Sequence, residues 1–319
     1  MKRLLQISAA VGIFTALLIF PQEAAESVKA ALKMCAEVII PSLFPFFAAT
    51  NLINELGASK IFANALAPLG SRLLGLSGYA VTAFIIGVTG GYPLGASYIA
   101  GLRRHAQISS EEASRLLVFC NNSGPAFIIG AVGVGVFGSA AAGFFLYAAH
   151  IVSALAAAVI FSPRRACDIC YDEDVFEGAP FSSAVTLAIK RSAEGVISVC
   201  AFITAFSVLG GILDSFNLIS SLAGRLSVIS GEELSSCRAL LFGLLELGNG
   251  IGCMQGLALS PKSLALAAFI LGWGGLSVHF QTFAAVAQTD IKTARYMIGR
   301  FMTALLAAAI ALLGAAAVL

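Results

Sequence analysis

Apolar runs follow one another along most of the chain, separated by short clusters of charge or of glycine and proline. Leu4–Phe20 is the first, anchored by Lys2 and Arg3, and its length suits an uncleaved membrane crossing, which takes roughly 20 residues. From 22 to 37, Glu23, Glu26, Lys29, Lys33 and Glu37 recur at three- and four-residue spacings, which predicts a helix lying at the membrane surface. Val38–Leu56 is apolar again but carries Pro41 and Pro45, and the mixed stretch Gly57–Gly75 reads as a second surface helix. Tyr79–Val88 is only half a crossing long and runs into Thr89-Gly90-Gly91-Tyr92-Pro93-Leu94-Gly95. A hairpin that enters, turns at Gly90–Gly95 and leaves on the same side keeps Arg103 and Arg104 inside. Leu116–Cys120 and Phe127–Val132 are each too short to span, and they meet at Asn121-Asn122-Ser123-Gly124-Pro125. Ser109-Ser110-Glu111-Glu112 opens that segment as an N-cap with an acidic first turn. Ala140–Phe161 is an uninterrupted crossing closed by Pro163-Arg164-Arg165.

The second half repeats this order. Ala193–Leu213 ends in Leu209-Gly210-Gly211, as Leu56-Gly57 ends its counterpart, and Leu222–Leu226 answers Leu69–Leu73. Phe242–Gly252 stands where Ile86–Gly95 stood, Gly272–Ser277 takes the place of the Asn122 break, and Tyr296–Val318 answers Ala140–Phe161. With residues 79–102 and 234–259 as hairpins and the N-terminus inside, the inside receives Lys2, Arg3, Arg103, Arg104, Arg164, Arg165, Lys190, Arg191, Lys292, Arg295 and Arg300 among others. The outside keeps Lys29, Lys33, Arg225, Arg238 and Lys262, a strong positive-inside bias. The halves then run in opposite senses, the layout of many secondary transporters. The expected fold is therefore all-α: a polytopic membrane protein of two inverted repeats, with re-entrant helical hairpins and broken transmembrane helices. Residues 1–37 hold the first transmembrane helix and a surface helix, 38–161 the first repeat, 162–184 an acidic cytoplasmic loop, and 185–319 the second repeat.

Composition agrees with a membrane protein, since 59% of residues are hydrophobic and 11% charged, against about 25% charged in soluble domains. No basic stripe with interleaved aromatics points to nucleic acid. The three His show no zinc spacing, no glycine-rich phosphate loop ends in Lys-Ser or Lys-Thr, and no nucleophile–base pair is visible, so neither an enzyme nor a bound cofactor is expected. A coupling proton or sodium ion stays open. Cys35, Cys120, Cys200, Cys237 and Cys253 lie in or beside apolar runs and suit packing as small hydrophobes, while Cys167 and Cys170 form a lone CxxC of weak signal. Asp168, Asp172, Glu173, Asp174 and Glu177 make the 162–184 loop the place for a soluble partner, and the sequence leaves a homo-oligomer open.

Backbone that unwinds inside a bilayer survives only in contact with protein, water or ligand, because each unpaired group costs several kcal/mol in hydrocarbon. Four such interruptions, Gly90–Gly95, Asn121–Pro125, Glu246–Gly252 and Gly272–Ser277, are expected to meet at one small-molecule site near the midplane. A proline kink satisfied by neighbouring helices is the plainer reading of the second. Half-helix N-termini at the breaks suit anionic groups, and Gly91, Gly124, Gly250 and Gly274 let backbone approach a ligand. Tyr92 and Pro93 sit at the first break. Asn121, Asn122, Ser123 and Asn249 are the leading polar contacts, with Gln255, Ser277 and Gln281 behind them; each also reads as an interhelical hydrogen bond. Glu246, a carboxylate within an apolar run, is a candidate to carry a proton or hold a cation. Its alternative, pairing with Arg238, spans about 12 Å along a helix. His279 reads equally as a gating or proton-carrying group and as a satisfied buried imidazole.

At Pro41–Phe46, Gly91–Ala96, Asn121–Pro125, Gly248–Gly250 and Gly272–Gln281 the chain resembles the sporulation integral membrane proteins of the YlbJ (SpoVV) type, which carry nucleoside-recognition, or Gate, domains. The resemblance runs from residue 38 to about 290. It implies a fold similar to concentrative nucleoside transporters and movement of dipicolinic acid from the mother cell across the outer forespore membrane. Paired half-helix N-termini and amides would hold the two carboxylates without a buried arginine, whereas Glu246 would repel them unless protonated or screened. A nucleoside or nucleobase is the alternative solute, and a non-transporting assembly role at the acidic loop is the alternative function.

Overall fold

A computed structural model describes residues 2–73, 77–161 and 178–319. Cys167, Cys170, Arg164, Arg165 and the acidic residues up to Glu177 lie outside the described residues. No strand occurs among those described.

Two helices of 35 residues, α2 (Pro21–Glu55) and α9 (Phe181–Ser215), form the spine; α1 (Lys2–Ile19) precedes them. They pack antiparallel. Arg191 near the start of α9 pairs with Glu55 at the end of α2, Asn51 Nδ2 donates to Ser192 Oγ at 2.9 Å, and Phe47 covers Gly195. At the far end Gly211 lies against Ser27. Because α2 opens the first half and α9 the second, their opposed directions invert the two repeats. Helix α1 touches α2 and α9 lightly and turns Leu4, Leu5, Phe14 and Leu18 outward, as a lipid-facing helix would.

Residues 22–37 are not a separate helix. They continue unbroken through Pro41 and Pro45 to Glu55, so the expected interruption of Val38–Leu56 is absent. A wider, π-type turn over Cys35–Ile39 absorbs the missing proline N–H groups, and Ser42 Oγ donates to the carbonyls of Val38 (2.6 Å) and Ile39 (3.1 Å).

After each spine helix the same elements follow. The first half has α3 (Ser59–Leu73), the hairpin arms α4 (Gly78–Gly90) and α5 (Leu94–Arg104), a broken pair α6 (Ser110–Cys120) and α7 (Ala126–Val136), and α8 (Ala140–Phe161). The second has α10 (Leu218–Ser230), α11 (Leu234–Leu245) and α12 (Leu247–Gly252), the broken pair α13 (Pro261–Trp273) and α14 (Gly275–Val286), and α15 (Ala294–Gly314). Among the described residues five helical stretches are long and apolar enough to cross a membrane, namely α2, α8, α9, α13 with α14, and α15 with the short turn after it.

Glycine fixes the first hairpin. Gly87 on one arm and Gly95 on the other both press on the Cys120 carbonyl, where an added Cβ would sit 1.7 and 2.0 Å from the oxygen. The chain therefore reverses between them. In the second half Gly250 lies against Gly243, with a Cβ 2.3 Å from Gly243 Cα, but the return arm is only six residues long before the chain turns again.

Two large cores result, and each draws on both halves. One joins Tyr98, Ile99, Leu116 and Leu117 to Tyr296 of α15; the other joins Ile128, Val132 and Leu146 to Leu264, Leu271 and Ala307. The expected cap of α6 is present, with Ser109 Oγ accepting from Glu112 N at 3.1 Å. Outside the spans, Arg103 grips Asp290 through two hydrogen bonds of 2.7 and 3.0 Å and holds that carboxyl below its ordinary value. The contact is complete above the unfolded carboxylate pKa and fades as pH falls through the lowered one.

Two outcomes follow from this packing. Gly87→Ala forces the hairpin off α6 and lowers stability by about 1–3 kcal/mol in thermal unfolding of the detergent-solubilised chain, whereas Gly130→Ala, with nothing within 4 Å, leaves it unchanged. Arg191→Met removes the direct ion pair of the buried Glu55 carboxylate and costs about 1–3 kcal/mol in the same assay.

Candidate functional site

The four interruptions converge. Gly91, at φ 86°, lies against Gly124, and a Cβ on either would come within 3.1 Å of the other's amide nitrogen. Gly275 stands in the same way against the backbone of Gly243, Leu245 and Glu246. Tyr92 joins the two pairs, since its hydroxyl donates to Leu271 O at 3.0 Å and its ring tip faces Gly274. Positive φ at Gly91, Gly274 and Gly275 is what lets the backbone turn at these points without a side-chain clash.

Between the breaks and the spine lies a cavity of about 60 Å³, room for a few waters. Its floor is Gly90–Tyr92, Ser123, Gly124 and Glu246–Gly248, and Gln281 reaches it from α14. Leu43 and Phe46 of α2 and Val199 and Ile203 of α9 close the other side. A broader depression on the far side of Gly248 is bordered by Ser207, Arg238, Asn249 and Cys253.

Glu246 is 2% exposed and faces the cavity. Its carboxylate accepts from the backbone N–H of Gly248 (2.9 Å) and Asn249 (2.7 Å), so it caps α12 itself. Pairing with Arg238 does not occur. Arg238 binds Asp214 at 2.7 and 3.1 Å and Ser220 at 2.6 Å. One half-helix N-terminus expected to hold an anionic ligand is thus already filled by the protein's own carboxylate.

Behind Tyr92 and Ser123 sits a second layer of buried polar groups. Arg300, counted among the inside charges from the sequence, is instead 0% exposed. Its guanidinium donates to Asn122 Oδ1 (3.2 Å), to the Tyr92 hydroxyl and to Gly272 O, and it lies over the Tyr92 ring at 5.3 Å. One side chain thereby ties three of the four breaks together. The expectation of a site without a buried arginine is overturned. The helix pitch of α15 turns this residue inward, away from its neighbours Ile298 and Phe301, which face outward.

Asn121 donates to Thr282 Oγ1 (2.8 Å) and Tyr296 OH (3.3 Å), and His279 Nδ1 meets the same Tyr296 hydroxyl at 3.2 Å. Asn122 also donates to Phe119 O at 2.7 Å, which covers a carbonyl freed by the break. Ser123 N donates to His150 Nε2 at 3.1 Å. Both amides and His279 therefore act between helices rather than on the cavity surface.

Of the residues singled out from sequence, Gly91, Tyr92, Ser123, Gly124, Glu246 and Gln281 border the cavity. Pro93, Asn121, Asn122, Gly274, Ser277 and His279 lie just behind it in the packing of the breaks. Ser277 is buried and accepts from Gln281 Nε2 at 3.1 Å. Asn249 turns to Ser207 (2.9 Å) in the second depression, and Gly250 is engaged with Gly243. Gln255 does not belong with them, because the return arm ends at Gly252 and leaves it exposed on the following turn. Arg300, His150, Thr282 and Tyr296 were missed. Arg300 carried the same signal as Glu246, a charge inside an apolar run, and His150 lay in a crossing that otherwise looked uniform. Of the cysteines, Cys35, Cys120 and Cys237 are buried as expected, while Cys200 and Cys253 are half-buried.

Comparison with known proteins agrees with this geometry. Residues 36–140 match the Gate family, described as nucleoside recognition. The sporulation integral membrane protein YlbJ of Bacillus subtilis (strain 168) is 30% identical over 322 aligned positions, which cover 92% of this chain and 78% of the relative. Among solved structures, a doubly substituted CNTnw in an outward-facing state is similar over 99% of this chain and 85% of its own, with a TM-score of 0.53 and 14% identity. At that identity the likeness concerns the fold, which is that of a concentrative nucleoside transporter. This multi-pass membrane chain therefore belongs to the YlbJ family of sporulation integral membrane proteins.

Proposed function

We propose that the protein is a secondary transporter that carries a small anionic solute through the cavity between the breaks and the spine. The observation that supports this reading is the meeting of unwound backbone from both inverted repeats at a single cavity, the layout of alternating-access carriers. The reading takes dipicolinate as the solute and the outer forespore membrane as the setting, with transport from the mother cell, in keeping with the family resemblance, and it puts the N-terminus in the cytoplasm in keeping with the positive-inside charge bias. Glu246 is the candidate for coupling, because a carboxylate at the cavity that touches no cation among the described residues takes up a proton or a sodium ion without breaking an ion pair.

A nucleoside is the second reading. Glu246, Ser123 and Gln281 line the cavity as acceptors and donors suited to ribose hydroxyls and a base edge, and the Gate match supports it.

Uptake of labelled dipicolinate and of labelled uridine into proteoliposomes, with and without a proton or sodium gradient, separates these readings. Gradient-driven dipicolinate uptake is the expected result; uptake of uridine alone favours the second, and uptake of neither removes transport. Glu246→Gln should lose gradient-driven accumulation by at least about tenfold while leaving solute exchange at equilibrium measurable. Asn121→Ala combined with Glu246→Gln should abolish movement altogether while the chain still inserts in the membrane. Should both changes be silent and deletion of residues 166–180 not be, a recruitment role for the acidic loop replaces transport.

A further inference from the structure

Arg300 presents an accounting problem that the transport reading does not itself resolve. A fully buried arginine normally faces a carboxylate, because a desolvated charge without a counter-charge is costly. Among the described residues no carboxylate comes within ion-pair distance of it. The carboxylate at the cavity, Glu246, is engaged by Gly248 and Asn249 N–H groups.

The hydrogen-bond count leans the same way. Arg300 Nε has no acceptor. His150 receives the Ser123 N–H on Nε2, so a neutral ring carries its proton on Nδ1, and that atom is also buried without a partner. His279 Nε2 is unpartnered as well. Buried polar atoms in native proteins are nearly always matched, and here the unmatched set holds at least two donors beside a formal positive charge. The wall between this layer and the cavity is thin. Tyr92, over whose ring Arg300 lies, and Ser123, which His150 holds, both border the cavity directly.

We infer that Arg300 is the residue that sets the charge of the solute: a carboxylate-bearing molecule in the cavity, across the wall of Tyr92 and Ser123, supplies the counter-charge that the protein leaves open, and a neutral molecule of the same shape does not. This rests on the transport reading of the cavity and names the residue behind its preference for an anionic solute. It also assigns Asn122 a distinct part. Its neutral amide holds the guanidinium in place where an aspartate would have neutralised it.

The chain has a single tryptophan, Trp273, at the Gly274 break with its ring centroid 4.2 Å from that of His279, so its fluorescence reports events at this layer without any label. The test titrates the full-length chain in detergent with pyridine-2,6-dicarboxylate, its uncharged analogue pyridine-2,6-dicarboxamide, and uridine. The diacid should bind wild type at least about tenfold more tightly than the diamide. Arg300→Gln should erase that ratio. Asn122→Asp, which keeps the side chain's shape and places a carboxylate on Arg300, should erase it too and provides the answer should Arg300→Gln not fold. Retention of the full preference by a folded Arg300→Gln or Asn122→Asp variant overturns the inference and leaves the transport reading intact. Equal binding of diacid and diamide by wild type, or preference for uridine, overturns it also. No response to any of the three, with no uptake in proteoliposomes, removes the transport reading and this inference together.

Discussion

The structure depends on one rule, that a backbone leaving its helix inside lipid must find its hydrogen-bond partners within the protein. Four breaks create a concentrated demand, and they pack directly on one another. Gly91 lies on Gly124, Gly275 on the backbone of Gly243, Leu245 and Glu246, and Tyr92 reaches across from the first pair to Leu271. The glycines are needed because the approaches leave no room for a Cβ. Side chains then complete what backbone cannot: Asn122 covers Phe119 O, Glu246 covers two N–H groups of α12, and Arg300 covers Gly272 O. The breaks lie two in each half, and Tyr92 and Arg300 tie them together across the halves.

The two halves nevertheless solve the problem differently, and the difference bears on what the site can bind. In the second half an acidic residue caps its own short helix, so that N-terminus offers nothing further to an anion. Behind the first-half breaks the groups are donors and a cation, Arg300, which α15 of the second half contributes. The polarity of the site is therefore uneven, with carboxylate oxygen at the α12 wall and guanidinium behind the Tyr92 wall. A ligand held across such a cavity is oriented by that contrast before any specific contact forms.

Much of this was legible in the sequence, for identifiable reasons. The breaks at Asn121–Pro125 and Gly90–Gly95 stood out because polar and glycine residues interrupt apolar runs too short to span, and the repeat was visible because the order of such features is kept. The charged stretch of 22–37 misled, since charges at helical spacing look the same on a surface helix and on the end of a long crossing helix. Pro41 and Pro45 misled for a related reason. A π-type turn and the Ser42 hydroxyl repair the helix, and neither leaves a mark in a pattern of apolar and polar residues. Arg300 was lost to its company, because beside Lys292 and Arg295 it reads as one more charge at the inner end of a helix. Only the phase of α15 distinguishes it. The distinction between Asn121 and Asn122 facing a solute and facing Tyr296 and Arg300 was beyond reach, because the partners are far away in sequence.

The packing also indicates where an alternating-access cycle would divide the molecule. Both large cores lie among the hairpins, the broken helices, α8 and α15, and each mixes residues of both halves, so the repeats cannot rock apart without opening a core. The spine is held together by its own cluster of Ala31, Cys35, Val199 and Ile203, and it meets this bundle through a much smaller apolar cluster of Phe47, Leu94 and Val196. The cavity lies on that seam, with breaks on one side and Leu43, Phe46, Val199 and Ile203 on the other. Separating two surfaces joined by few large side chains disturbs far less apolar contact than splitting either core. Movement of the bundle along the spine would carry Glu246, Tyr92 and the charge of Arg300 as one unit, so that a solute would keep its polar contacts while the apolar wall opposite is exchanged.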